Sequence, residues 1–407
     1  MDKSYIKFLN KYSGMEFNED YHSEETLRFI NSLNTHSDKK KILIFASYDL
    51  PVDPFRQYMP FLCDSFDFFI IFSNSVQNSP ELQSAKDFTT IRNNYAQLKQ
   101  ILEHGSYDLI LLANINLYWQ WRFSFVKTFA KAPVICYERD FMTKMHVRNT
   151  DEMALLLHGK REYAEFIMET GDNLLKNADG IVCHFSDTAV KMLNRHNSNI
   201  YSYIPVWSSN HAETAVTTSE NKLVYGGSLT PEGDRTPHGT FGNLLPIFSS
   251  FTKHAEVDIF VRTEDRETDW QNYRNCPQIK VFNNIGYDEY IKTISGNYLA
   301  GLCVMNFSRI NETSNIAYKY IFVTKIFAYL AAGLPVIISS EYDSAASFLT
   351  ENGLGVAYSN QDIFADDFFP DIDAIRKIGK NVSEFDFNAL LMKQKEQFLE
   401  IFSKTML

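Results

Sequence analysis

Short runs of consecutive apolar residues recur along the first half of the chain, and the longer stretches between them carry apolar residues at helical spacing. The apolar runs occupy 42–46, 67–72, 109–113, 132–137 and 180–184. A continuous run of this length predicts a parallel strand that is buried on both faces. Helices are predicted at 88–104 and 162–176, and in the second of these the apolar residues share one face. Strands that alternate with helices predict a doubly wound α/β domain.

The alternation stops at 206–222, where polar residues rich in Ser and Thr predict a linker. A second series of strands then follows, at 223–225, 257–261, 279–282, 299–305, 336–338 and 355–358. Helices are predicted between these strands at 241–254, 287–295, 323–332 and 343–351, and a long amphipathic helix at 387–406. The chain therefore divides into a Rossmann-like domain over 1–205, a second one over 223–385 and a C-terminal helix over 386–407.

Composition and charge exclude several classes of protein. Of the 407 residues, 45% are hydrophobic and 22% are charged, which is typical of a globular protein rather than a disordered one. The net charge of −11 argues against a nucleic-acid partner, which requires a basic surface. The five cysteines form no C-x-x-C pair, so neither a zinc site nor a disulfide framework is predicted. Because no long apolar stretch or leader-like start occurs, we expect a cytoplasmic protein, with peripheral membrane contact and oligomeric state left open.

The segment from Thr324 to Pro335 carries the strongest local signal. Its apolar residues share one face of a helix, Gly333 predicts a left-handed C-terminal cap, and Pro335 stops the helix before the next strand. Such a short join places the helix N-terminus at the carboxyl edge of the sheet, where ligands bind in open α/β folds. The free N–H groups there favour a phosphate, and Lys325 adds a positive charge. A plain core helix with a solvated lysine is the alternative.

This segment also carries a resemblance to a known family. The run Lys325-x-x-x-Tyr329-Leu-Ala-Ala-Gly-Leu-Pro-Val-Ile resembles the C-terminal-domain motif of GT-B glycosyltransferases, a large clan of mostly retaining sugar-nucleotide enzymes. Three further segments are similar to the clan in order and spacing: 177–182, 204–205 and 223–228. The resemblance implies a GT-B fold, with two Rossmann-like domains facing across a cleft and the C-terminal helix crossing back to the first. It also implies a nucleotide-sugar donor, no metal and no cofactor.

The candidate donor-binding residues all belong to the second domain. Glycines that follow a strand allow close approach of a ligand to the backbone, although a Gly-Gly pair is also common in simple turns. The candidates are Gly226, Gly227, Ser228, Arg262, Thr324 and Lys325. Arg262 follows a predicted strand at the same edge, with a surface position as its alternative. The first predicted strand of the chain is followed by no glycine turn, which counts against a dinucleotide-binding dehydrogenase.

One departure from the clan bears on activity. Many members carry two glutamates, eight positions apart, that hold the donor sugar and the nucleotide ribose. The matching positions here are Tyr320 and Ala328, and neither side chain can accept a hydrogen bond as a carboxylate does. Either the donor is held differently or the chain has lost catalytic competence.

In the first domain, a predicted strand ends at Glu138, Arg139 and Asp140. Asp140 is the candidate catalytic residue, as a general base in an inverting reaction or as a sugar-orienting group in a retaining one. Helix capping and an ion pair with Arg139 are the alternatives. Glu138, Arg139 and His146 are the candidate acceptor-binding residues. A basic loop surrounds the last of these, formed by Lys144, His146 and Arg148, and a solvated face is its simpler interpretation.

The expected function is the transfer of a sugar from a nucleotide-sugar donor to a glycan, lipid-linked or protein acceptor in bacterial surface-glycan assembly. The alternative is a catalytically silent GT-B subunit that binds a glycan or another glycosyltransferase. A sugar-nucleotide epimerase is the weakest hypothesis, because that enzyme would require a denser set of acidic residues and histidines in the cleft. Asp371 and Asp373 form a D-x-D sequence, which metal-binding glycosyltransferases of another fold use, but helix capping explains it better.

Overall fold

The fold is taken from a computed structural model of the chain. The structure describes Lys11 and residues 16–18, 23–46, 55–73, 83–92, 94–115, 120–138, 150–157, 159–193, 196–197, 199–205, 220–227, 229, 243–261, 270–283, 285–307, 318–368 and 370–407. The chain forms two compact units, one of Met1–Ile204 with Leu391–Leu407 and one of Pro205–Leu390. Of the predicted linker, 206–219 lie outside the described residues, and Lys222 already belongs to a strand.

The first unit is built on a seven-stranded parallel sheet. Its strands are β1 (Lys40–Ala46), β2 (Phe66–Phe72), β3 (Asp87–Thr90), β4 (Leu109–Ile115), β5 (Val134–Glu138), β6 (Gly180–Cys183) and β7 (Ile200–Ser202). Its helices are α1 (Glu24–Asn34), α2 (Phe55–Leu62), α3 (Tyr95–His104), α4 (Trp121–Phe129), α5 (Thr150–Leu156), α6 (Arg161–Asn177) and α7 (Asp187–Leu193). The strand order is β3-β2-β1-β4-β5-β6-β7.

The second unit contains a six-stranded parallel sheet of the same kind. Its strands are β8 (Lys222–Gly227), β9 (Glu256–Val261), β10 (Ile279–Phe282), β11 (Ala300–Cys303), β12 (Val336–Ser339) and β13 (Gly355–Tyr358). Its helices are α8 (Leu245–Phe251), α9 (Gln271–Arg274), α10 (Tyr287–Ile294), α11 (Thr324–Ala331), α12 (Asp343–Glu351), α13 (Asn360–Ile363) and α14 (Ile372–Glu384). A final helix, α15 (Phe387–Thr405), follows. The strand order is β10-β9-β8-β11-β12-β13.

Both sheets have the doubly wound arrangement that the apolar runs predict. Residues 66–72 of β2 and 336–339 of β12 are buried along their whole length, as parallel strands covered on both faces must be. In each sheet the strand order reverses once, between β1 and β4 in the first and between β8 and β11 in the second. The fold class of two Rossmann-like domains is therefore confirmed.

The C-terminal helix α15 packs on the sheet of the first unit, as predicted. Four of its side chains belong to that unit's core, namely Leu391, Phe398, Ile401 and Phe402. Two glutamines fix the helix to the backbone that leaves β7. Gln394 Oε1 accepts from the Ile204 N–H at 3.1 Å, and Gln397 Nε2 donates to the Ser202 carbonyl at 2.7 Å.

The helix predicted at 88–104 starts too early in the sequence. Asp87–Thr90 forms β3, which pairs with β2, and the helix α3 begins only at Tyr95. Two β-branched threonines favour the strand, and Asn94 caps the helix, because its Oδ1 accepts from the Ala96 N–H at 3.1 Å. The helix predicted at 241–254 is also shorter over its described residues, 243–254, where α8 covers Leu245–Phe251 with Pro246 in its first turn; residues 241–242 lie outside the described residues.

Asp371 is a helix cap, as expected. Its Oδ1 accepts from the Ala374 N–H at 2.9 Å at the start of α14. Cys136, Cys183 and Cys303 are buried, in agreement with their place in apolar runs. Of the helices that the structure describes, none combines the length and apolarity needed to span a lipid bilayer.

Candidate functional site

The candidate site lies where the strand order of the second sheet reverses, at the carboxyl ends of β8 and β11. Open α/β sheets bind ligands at this position, because the loops after the two strands run in opposite directions and leave a crevice. The strand β8 ends in Gly226 and Gly227. Gly227 has a φ of +149°, a backbone conformation that only glycine adopts without strain.

Tyr329, on α11, connects the ends of these two strands. Its hydroxyl accepts from the Gly226 N–H at 2.9 Å and donates to the Leu302 carbonyl at 3.0 Å. The side chain is fully buried. Its ring occupies the place that a side chain on residue 301 would take, so Gly301 in β11 is what admits it. The glycine turn is thereby tied to the neighbouring strand.

A second tyrosine covers the same turn. Tyr290, on α10, places its buried hydroxyl where the Cβ of any larger residue at position 226 would lie. Burial raises the pKa of Tyr290, and the nearby hydroxyl of Tyr329 opposes part of that rise. Gly226 is therefore required by packing, in addition to any contact with a ligand.

Lys325 brings a positive charge to the glycine turn. Its Nζ lies 4.0 Å from the centroid of the Tyr225 ring, within the range of a cation–π interaction. The same Nζ is 3.0 Å from the position that a Cβ on Gly227 would occupy. Within the described residues, Nζ has neither a salt bridge nor a hydrogen bond. The ring therefore holds the ammonium in place without neutralising its charge.

The start of α11 adds further hydrogen-bond donors at this point. The helix begins at Thr324, and its N-cap residue, Val323, makes no side-chain hydrogen bond to the first turn. A valine in this position leaves first-turn N–H groups to be satisfied by water or by a ligand. The uncapped turn, the Lys325 ammonium and the two glycines form one anion-accepting corner, which we call the glycine–lysine corner.

The structure brings together four of the six donor-binding candidates, Gly226, Gly227, Thr324 and Lys325, at the second unit's switch point. The remaining two, Ser228 and Arg262, lie outside the described residues. Glu138 ends β5, and only its backbone is described. The other first-unit candidates also lie outside the described residues, namely Arg139, Asp140 and His146.

The roles of several residues in this region could not be predicted from the sequence. The roles of Tyr225, Tyr290 and Tyr329 depend on contacts between distant parts of the chain, and Glu341 near the end of β12 gives no motif. One signal was available, because a lone glycine inside an apolar strand, such as Gly301, indicates close approach of another group. At the two positions where the clan has glutamates, Tyr320 is half-buried and Ala328 is buried.

Comparison with known proteins concerns the fold. No protein-family model and no curated protein sequence matches the chain. Among solved structures, HepE from Anabaena, in complex with UDP, superposes with a TM-score of 0.55 at 11% identity, covering 88% of this chain and 100% of that one. A glycosyltransferase from Rickettsia africae gives a TM-score of 0.53 at 12% identity, covering 90% and 99%.

This chain has the GT-B fold. The two similar structures match over nearly their whole length, so the similarity includes both Rossmann-like units of the GT-B chain. At 11% and 12% identity the similarity establishes the fold alone.

The buried acids of this GT-B chain predict a loss of stability at alkaline pH. Burial raises the pKa of the Cys303 thiol to about 12, although the nearby Lys325 charge lowers it. Burial also raises the pKa of Tyr329 and of Tyr342. In the unfolded chain the cysteine has a pKa of about 8.5 and the tyrosines have a pKa of about 10. At alkaline pH the folded state therefore retains protons that the unfolded state loses. The contribution of these groups to the free energy of unfolding is therefore fully present below about pH 8.5 and decreases as the pH rises above that value.

Urea unfolding between pH 8 and pH 10.5 tests this expectation. Each such group should lower the free energy of unfolding by about 1.4 kcal/mol per pH unit once its unfolded form ionises. The Tyr342→Phe variant removes one of the groups, and the only hydrogen bond from that hydroxyl in the described chain is a 3.6 Å contact to Met305 Sδ. It should show a shallower decline above pH 10. A free energy that stays level or rises over this range would contradict the assignment.

Proposed function

We propose that this GT-B chain is a glycosyltransferase that binds a nucleotide-sugar donor at the glycine–lysine corner. The carrying observation is the ammonium of Lys325, which the Tyr225 ring holds at 4.0 Å beside the glycine turn and which has no carboxylate partner within the described residues. A partly buried cation without a counter-charge is well suited to an anionic ligand. Phosphates are the anions that α/β sheets most often hold at such a position.

The corner suits a diphosphate leaving group. When a sugar is transferred, the bond from its anomeric carbon to the diphosphate breaks, and negative charge grows on the departing oxygen. In this proposal, Lys325 and N–H groups at the start of α11 stabilise that charge. One well-placed donor of this kind contributes about 3 to 4 kcal/mol to the transition state. We propose that these groups supply the positive charge and that no metal is required.

The acceptor side of the proposal rests on the sequence. Asp140 is proposed as the catalytic or sugar-orienting residue, with Glu138, Arg139 and His146 contacting the acceptor. We propose a glycan, lipid-linked or protein acceptor in bacterial surface-glycan assembly. The structures of HepE in complex with UDP and of the Rickettsia glycosyltransferase are in keeping with a nucleotide-sugar reaction.

A second candidate is a catalytically silent GT-B subunit. The observation that favours it is the pair Tyr320 and Ala328, which stand where the clan often has two donor-holding glutamates. Such a subunit would bind a glycan or another glycosyltransferase and would have no need of a donor. Nucleotide binding at the glycine–lysine corner therefore separates the two functions.

A thermal-shift titration with UDP, GDP, CMP and dTDP, with Mg²⁺ and with EDTA, tests the proposal. A nucleotide at about 100 times its Kd adds roughly 2.7 kcal/mol to the free energy of unfolding, which raises the midpoint. The Lys325→Met variant should bind that nucleotide about 10- to 100-fold more weakly, because it loses a charged hydrogen bond. The shift should be the same in EDTA.

Lys280→Met is the matched control. Lys280 is an exposed lysine of the same unit, 3.3 Å from Glu256, so the variant removes one positive charge away from the corner. It should respond to the nucleotide as the unmodified protein does. If no nucleotide raises the midpoint, the silent-subunit function replaces the enzyme. A shift that Lys325→Met leaves intact would place the nucleotide elsewhere.

A further inference from the structure

A carboxylate at the same sheet edge has no assigned role. Glu341 follows β12 and is only partly exposed. Its Oε1 accepts from the Asn360 N–H at 2.7 Å, and its Oε2 accepts from Asn360 Nδ2 at 3.5 Å. Within the described chain it forms no salt bridge and has no further partner. By contrast, the buried carboxylate of Asp258 lies 3.2 Å from the Lys222 ammonium.

Asn360 anchors this carboxylate to the strand at the switch point. Its side-chain oxygen accepts from the Phe307 N–H at 2.9 Å, and its Nδ2 donates to the Met305 carbonyl at 3.0 Å. Both of these residues follow β11. Asn360 is itself buried, so the backbone after β11 and the carboxylate of Glu341 are held in one fixed arrangement.

The chemistry of the group indicates what it can bind. An ionised carboxylate only accepts hydrogen bonds, and its two oxygens offer about four acceptor positions. Asn360 supplies two donors, one of them at 3.5 Å, which leaves capacity for further donors. Adjacent hydroxyl groups of a sugar present two donors at a spacing that one carboxylate can receive. Because a diol carries no charge, the carboxylate can bind it without a cation to offset repulsion between two anions.

The position of Glu341 fits a ligand that begins at the glycine–lysine corner. The strands β8, β11 and β12 are neighbours in that order, and neighbouring strands lie about 4.8 Å apart. The end of β12 is therefore about 10 Å from the end of β8. This is comparable with the length of a nucleoside diphosphate. On the opposite side, the described ends of β9 and β10 carry the stacked rings of Phe260 and Phe282, which offer no acceptor for a hydroxyl.

We infer that Glu341 binds a pair of adjacent hydroxyls of the donor, on the nucleotide ribose or on the transferred sugar, and thereby determines donor specificity. This inference rests on the proposed function, since it places the diphosphate at Lys325. It assigns a hydroxyl-binding role to a carboxylate that lies just after β12.

Calorimetric titration with UDP, GDP and their 2′,3′-dideoxy forms tests the ribose arm, and titration with UDP-glucose tests the sugar arm. For a ribose contact, the unmodified protein should bind the ribonucleotides roughly tenfold or more tightly than the dideoxy forms. Glu341→Gln should bind both forms equally. For a sugar contact, Glu341→Gln should bind UDP normally and lose roughly tenfold only towards UDP-glucose. Glu351→Gln, an exposed carboxylate at the end of α12, should behave as the unmodified protein.

The outcomes separate this inference from the function on which it rests. Lys325→Met should weaken binding of the ribo- and dideoxy forms alike and preserve their ratio. If Lys325→Met weakens binding while Glu341→Gln binds every probe normally, the role of Glu341 is overturned and the donor site stands. If the unmodified protein binds none of the probes, both are overturned. Glu341→Asp keeps the charge one methylene further back and should give an intermediate ratio, which provides a second variant if Glu341→Gln does not fold.

Discussion

Gly301→Ala should destabilise the protein by about 3 to 5 kcal/mol. A Cβ at this position would overlap with the ring of Tyr329, which is fully buried and has no space to retreat. Overpacking of a core typically costs about 1 to 3 kcal/mol. A displaced ring would also release the Gly226 N–H and the Leu302 carbonyl from the tyrosine hydroxyl. Leaving buried polar groups unsatisfied costs about 1 to 3 kcal/mol more.

Urea unfolding of this variant beside Gly286→Ala measures the effect. Gly286 precedes α10, has a φ of −56° and has no atom within 4 Å of its added Cβ, so the same change there should cost less than about 1 kcal/mol. Tyr329→Phe keeps the ring and removes the hydroxyl, so it should cost about 2 kcal/mol. If Gly301→Ala is no more harmful than Gly286→Ala, the bridging role of Tyr329 is refuted.

Lys222→Met should destabilise the protein by about 3 kcal/mol. Lys222 begins β8, and its ammonium lies 3.2 Å from a carboxyl oxygen of Asp258, which is 1% exposed. The hydroxyl of Tyr298 donates to the same oxygen at 2.8 Å. Removing the lysine leaves a buried charge with one remaining donor, and breaking a buried pair in this way costs about 3 to 5 kcal/mol. The lower end is expected because Lys222 keeps 21% exposure.

A double variant shows whether the uncompensated charge is the cause. Adding Asp258→Asn to Lys222→Met removes the charge and keeps an acceptor for Tyr298, so part of the lost stability should return. Lys280→Met is again the control. Its partner Glu256 is 54% exposed, so its loss should cost less than about 1 kcal/mol. Additive losses in the double variant would contradict the explanation. Lys222 and the glycine–lysine corner lie at opposite ends of β8. In protein that remains folded, Lys222→Met should therefore leave the choice of nucleotide unchanged.

The sequence predicted much of the fold because the strands of parallel sheets are apolar along their whole length. Such runs are visible without knowledge of their neighbours, as at 42–46 and 336–338, both of which are strands. The left-handed cap at Gly333 was also predictable, and its φ is 75°. The edge strand Asp87–Thr90 was missed, because a short, half-exposed strand lacks a continuous apolar run and its partner β2 decides its conformation.

The position of Lys325 in the glycine–lysine corner could be predicted from the sequence alone. The helix–Gly333–Pro335 join fixed which end of α11 meets the sheet, and so placed Lys325 near the glycine turn before any contact was known. The structure confirms that placement, whereas the role of Lys325 in donor binding stays a prediction.

Only the tertiary structure decided how the corner is held. Gly226 and Tyr329 are 103 positions apart, and no local pattern reveals that the N–H of one meets the hydroxyl of the other. The same is true of the Tyr225 ring beside Lys325 and of the Asn360 amide that holds Glu341. Strands and caps are determined by residues close in sequence. These contacts arise when strand order brings distant residues together, and a single sequence carries no local record of them.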